Sequence, residues 1–171
     1  MLFSVLLSCS NTELQKTNAL YFDSPSFFKS EIDRLENLDP KVLKRIESKA
    51  GIEEQKIRIE DYEKELSVFS KIDLNISAYY NMFSVDSVYR EDTLIVEYKA
   101  KEKSLGLREY RLVVVDGNPQ MISASSKTAN ALSDSGLKLI YQPSKGYKIS
   151  KSGNSKVSDS FDFKISVEFL N

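Results

Sequence analysis

Residues 161–169 read FDFKISVEF. Phe161, Phe163, Ile165, Val167 and Phe169 alternate with Asp162, Lys164, Ser166 and Glu168. Successive side chains of a strand point to opposite faces, so this stretch predicts a strand with one dry face and one wet face. A sheet that is wet on one side is of the antiparallel kind. Upstream, the same two-residue period recurs in weaker form. Tyr80 and Met82 open a strand reaching Tyr89, and Glu91-Asp92 supplies a turn. Leu94, Val96, Tyr98 and Ala100 alternate with Ile95, Glu97, Lys99 and Lys101, and Tyr110, Leu112 and Val114 follow. Asp116-Gly117 tolerates the positive φ of a tight hairpin turn. Pro119 brings no amide donor, which places its strand near a sheet edge. Residues 128–136 read as a loop, 137–141 and 147–151 as short strands, and 152–154 as a further turn.

Ahead of these strands the period changes to that of a helix. Ser24 is a capping residue and Pro25 fits a first helical position. Phe28, Ile32 and Leu35 then follow at spacings of four and three, and Asp39-Pro40 ends the run. A second helix is expected from Asp61, with Tyr62, Leu66, Phe69 and Ile72 on one stripe. Between them, Val42, Leu43 and Ile46 fit a helix as well as a strand, whereas Ile57 and Ile59 alternate about Arg58; a hairpin turning at Ala50-Gly51 is the favoured reading. The fold class expected is therefore α+β: two N-terminal helices packed on a curved antiparallel meander sheet of about six or seven strands.

Composition limits the chemistry. The 171 residues hold 24 basic and 25 acidic side chains, one cysteine and no histidine. Without histidine, Ser-His-Asp, Cys-His and His-ligated metal sites are excluded. The balanced, interspersed charge is not that of a nucleic-acid binder, and no nucleic-acid partner is expected. The lone cysteine cannot form an internal disulfide. No cofactor is expected.

That cysteine has an informative setting. Residues 1–9 read MLFSVLLSC, and polar sequence follows at once. Leu6-Leu7-Ser8-Cys9 resembles the bacterial lipobox, in which the Cys is acylated and becomes the mature N-terminus. No Lys or Arg precedes Cys9, so residues 1–8 are expected to be a truncated lipoprotein signal peptide. Residues 9–22 then form a lipidated polar tether, and 23–171 a single α+β domain. The expected location is the bacterial outer membrane, facing the periplasm or the surface. Several acyl chains hold such an anchor firmly, since each buried methylene contributes about 0.8 kcal/mol.

Asp61-Tyr62-Glu63-Lys64-Glu65-Leu66, Phe69, Ile72-Asp73-Leu74-Asn75 and Tyr80 form a pattern similar to that of uncharacterised envelope lipoproteins of Bacteroidota. Residues 128–141 and Gly146-Tyr147-Lys148-Ile149 look alike as well, so the resemblance covers most of the mature chain. Tyr62 stands where that pattern has tryptophan. The resemblance implies an envelope location and a lipid anchor, and carries over no catalytic residue.

The remaining candidates for chemistry are few. Glu91-Asp92, and Asp159 with Asp162, are carboxylate pairs of the kind glycoside hydrolysis uses, but acids at a hairpin tip usually just solvate the turn. Asp73 and Asn75 offer oxygens to Ca²⁺ without the further acids and Gly of a calcium loop. Ser123, Ser125 and Ser126 lie close to Lys127, but a Ser-Lys dyad needs a buried lysine. Seven strand tyrosines (Tyr79, Tyr80, Tyr89, Tyr98, Tyr110, Tyr141 and Tyr147) suit either a core or, if several share an exposed face, a recognition surface. The expected function is a non-enzymatic interaction module that meets an envelope protein partner, with a carrier of a small apolar ligand in a half-barrel pocket as the alternative.

Overall fold

The computed structural model describes residues 20–156 and 159–170. Among these, nine strands form one open antiparallel sheet with helical segments packed against it. The first helix, α1 (Ser24–Leu38), is capped by Asp23, whose side chain accepts from the Ser26 amide at 3.1 Å. Ser24 is thus inside the helix instead of capping it; it is fully buried and accepts a hydrogen bond from the Tyr110 hydroxyl at 3.0 Å. Asp39, before Pro40, ends the helix at φ 42°.

The hairpin reading of residues 41–59 is what the chain adopts: β1 (Lys41–Ser48) and β2 (Gly51–Arg58) pair in register from Lys41 opposite Arg58 to Ser48 opposite Gly51. The second helix differs from expectation. It is two single turns, α2 (Tyr62–Glu65) and α3 (Ser67–Ser70), broken at Leu66, where φ −92° and ψ 4° leave the helical path. Tyr62, Leu66 and Phe69 of the expected stripe are still buried, and Leu74 beyond them is buried as well.

A meander follows: β3 (Phe83–Arg90), β4 (Thr93–Ala100), β5 (Leu107–Val115), β6 (Asn118–Ala129), β7 (Ser133–Gln142), β8 (Gly146–Ser155) and β9 (Phe161–Leu170). Each pairs with the next. β1 then pairs with β9, so the order across the sheet is β2-β1-β9-β8-β7-β6-β5-β4-β3. The expectation of six or seven strands is corrected to nine, because the early hairpin extends the meander's last strand.

Three local expectations are also corrected. β6 is a central strand, not an edge, but Pro119 lies at its turn end, opposite Val114 at a register shift and ahead of Ile122, where pairing with β7 begins, so a missing amide is tolerated. Most of residues 128–136 belongs to β6 and β7, with only 130–132 between them. Residues 152–154 continue β8, opposite 134–136 of β7. Gly146, at φ 131°, accounts for the sharp entry to β8: a Cβ there would lie 1.9 Å from the Val167 carbonyl oxygen, so only glycine fits.

The core lies between the helices and one sheet face. Phe28, Ile32 and Leu35 of α1 join Val42, Tyr110, Leu112, Ile122, Leu139, Tyr141, Tyr147 and Val167 in a single buried cluster. Tyr21 belongs to it too, edge-on to Phe83 and Tyr98, so packing starts two residues before the cap. The opposite face is polar and solvated, as the alternation in β4, β5 and β9 requires. Its charges pair along and across strands: Glu97 meets Lys99 of its own strand at 2.9 Å and Arg111 of β5 at 3.4 Å.

Candidate functional site: an open sheet edge

Two strands end the sheet, and their chemistry differs. β2 reads GIEEQKIR and carries Glu53, Glu54, Lys56 and Arg58. Four charges in eight residues are a usual defence of an edge against further pairing. β3 reads FSVDSVYR and carries only Asp86 and Arg90. Val85, Val88 and Tyr89 of β3 are 53%, 44% and 74% exposed, and Tyr80, just before the strand, is 71% exposed. No other described strand or helix pairs with the outer side of β3.

The pairing with β4 fixes which backbone groups face outward. The Lys101 amide donates to the Met82 carbonyl at 2.9 Å, and the register continues as Ser84–Lys99, Asp86–Glu97, Val88–Ile95 and Arg90–Thr93. In an antiparallel pair these alternate residues exchange both bonds with the partner. The N–H and C=O groups of Val85, Ser87 and Tyr89 therefore point away from β4, into the open edge. The strand offers donors and acceptors beside apolar side chains, the combination that binds an extended segment by strand addition.

The two exposed tyrosines decide one question that sequence left open. Tyr98, Tyr110, Tyr141 and Tyr147 are core residues, and Tyr79 is half-buried. Tyr80, just before β3, and Tyr89, within it, are exposed instead. The periodicity could not separate the two groups, because edge position depends on which strands pair, not on the residues of β3 themselves.

The interior holds two carboxylate clusters that sequence reasoning did not single out. Glu31 of α1 accepts from Arg34 Nε and Nη2, both at 2.9 Å, and from the Tyr141 hydroxyl at 2.7 Å. Glu65 of α2 accepts from Lys44 Nζ at 2.7 and 2.9 Å and from the Tyr147 hydroxyl at 2.6 Å. Tyr141 and Tyr147 face each other across β7 and β8, so the two clusters are neighbours. Burial first, then the adjacent carboxylate, pushes both tyrosines well above the ordinary phenol range. Each carboxylate is held by a cation and a phenol, the arrangement of a buttress that ties helix to sheet. The pairs Glu31–Arg34 at spacing three and Leu-x-Tyr at 139–141 were visible in sequence, but nothing there showed that they meet.

The sequence candidates for chemistry are separate from one another. Glu91 and Asp92 are exposed at the β3–β4 turn, with Glu91 at φ 56°. Asp159 and Asp162 are exposed near the start of β9. Asp73 accepts from the Asn75 amide at 2.8 Å, and the Asn75 side chain bonds the Tyr21 backbone at 2.9 and 3.2 Å, which ties the chain entry to this loop. Lys127 is exposed. Cys9 lies outside the described residues. An apolar cleft of about 280 Å³ opens between Ile72, Ile76 and Tyr79 on one side and Leu107, Leu137 and Leu139 on the other. Among the described residues, no helix is long and apolar enough to cross a membrane.

No protein-family model, curated protein or solved structure matches this chain.

Proposed function

We propose that the chain is a non-enzymatic interaction module of the bacterial envelope, held at the outer membrane through a lipid on Cys9, and that it takes a protein partner along β3. The contrast between the sheet's two edges carries the reading. One edge is guarded by four charges, while the other leaves outward peptide groups beside Val85, Val88 and Tyr89. An extended segment added there gains backbone bonds and covers apolar side chains together. The lipobox-like step at Cys9 and the resemblance to Bacteroidota envelope lipoproteins support the location. A carrier for a small apolar ligand has less support. The apolar cleft beside Ile72 and Leu137 lies open to solvent, whereas a carrier encloses its ligand in a largely apolar pocket.

Two measurements test this. A photo-crosslinking side chain at Ser87, on the open edge, is expected to give protein adducts in intact envelopes, whereas one at Gln55, on the charged edge, gives none above the unirradiated background. Equal yields from the two positions, or none from Ser87, would remove the edge from the account. Metabolic acyl labelling is expected to be lost in Cys9→Ser. Label retained by that variant refutes the anchor.

A further inference from the structure

We propose that β3 pairs antiparallel with β3 of a second copy of this chain, about a two-fold axis through Val88. The inference rests on the edge reading above and names the occupant of that edge. Its warrant is register and charge. The outward backbone groups belong to Val85, Ser87 and Tyr89. Two such strands pair only where odd-numbered residues face odd-numbered residues. In the register centred on Val88, Ser87 faces Tyr89 of the second copy and exchanges backbone bonds with it. Asp86 then faces Arg90 of the second copy, and the two-fold axis repeats that pair.

These are the only charges of β3, and neither makes an ion pair within its own chain among the described residues. Both lie at positions that exchange no bonds across the new interface, where opposing Cα atoms approach to about 4.5 Å and side chains meet most closely. Val88 meets its own copy between them. The adjacent register, centred on Ser87, puts Asp86 against Val88 and Arg90 against Ser84, so neither charge is matched. Complementarity thus selects one register. In it the partially exposed Val88 and the exposed Tyr89 are covered on opposite faces of the joined sheet.

The test uses the full chain carrying Cys9→Ser, followed by sedimentation across a wide concentration range. The parent is expected to dimerise. Asp86→Arg or Arg90→Asp alone sets like charges opposite each other twice and is expected to weaken the dimer by about tenfold. The double variant Asp86→Arg/Arg90→Asp restores complementarity and is expected to return to within about threefold of the parent, which also shows that the variants fold. Under mild oxidation, Val88→Cys is expected to give a disulfide-linked dimer, since its Cα separation fits a disulfide, and Ser87→Cys is not. A dimer that the double variant fails to rescue, or that crosslinks through Ser87→Cys, overturns the register and with it the proposal. A monomer at every concentration overturns self-pairing. In that event, adducts from Ser87 with other envelope proteins would leave the edge reading standing, whereas their absence would end both.

Discussion

Replacing Phe28 by alanine is expected to lower the unfolding free energy by about 3–5 kcal/mol, the range for truncating a buried aromatic. Phe28 is 1% exposed and sits where three elements meet. Its ring lies 5.3 Å from Phe69 of α3, 5.1 Å from Tyr141 of β7 and 5.2 Å from Phe27 of its own helix. Removing it opens a void bounded by rigid rings that cannot all collapse inward. It also loosens α1, which carries Glu31 and so positions the Tyr141 hydroxyl. A domain of ordinary stability has about 5–15 kcal/mol in all, so the loss is a large share. Urea denaturation followed by far-UV circular dichroism measures it. A shift below about 1 kcal/mol would mean that α1 does not close the core as described.

Alkaline pH is expected to unfold the domain cooperatively. Tyr110, Tyr141 and Tyr147 are each at most 2% exposed. Burial raises all three, helped at Tyr141 by Glu31 and at Tyr147 by Glu65, and opposed at Tyr110 by its bond to Ser24. Tyr62, buried as well, is pushed up to about 12 by burial. An unfolded tyrosine loses its proton near pH 10. Because the folded values are raised, the contribution is complete below pH 10 and is lost as pH rises beyond it: the unfolded state ionises while the folded state cannot. By pH 11 each tyrosine that stays protonated forfeits about 1.4 kcal/mol, and the three together roughly 4 kcal/mol. A spectrophotometric titration should show their phenolate absorbance rising together with the loss of near-UV dichroism. Phenolate signal from these residues while the fold persists would contradict the burial.

Much of the fold is legible from side-chain period alone, and the exceptions share a cause. β9 and β4 were readable because one face packs toward the core, through Val96, Tyr98 and Ala100 and through Ile165, Val167 and Phe169, which imposes alternation. β2 has Glu53 and Glu54 side by side and no buried residue, so its only alternation is at its end, where Ile57 and Ile59 stand about Arg58. Residues 128–136 and 152–154 are small and polar, yet they extend β6, β7 and β8 beyond the cover of the helices, where backbone pairing continues with little to bury. Pro119 misled because only the start of β6 has an open side; from Ile122 the strand is paired on both sides. The candidate site was less legible still. That β3 is an edge follows from β1 joining β9, a pairing between residues more than a hundred apart, which no local pattern encodes.

That same pairing governs when the molecule can be finished. The meander is built of hairpins between neighbouring strands, and local contacts of this kind form quickly. The β1–β2 hairpin has no such neighbour until β9 exists, although it is made early. A chain in which β9 has not yet formed therefore holds an orphaned hairpin and an incomplete sheet. Closure of the sheet is thus one long-range step that waits on β9, whereas every other strand finds its partner next to it in the chain.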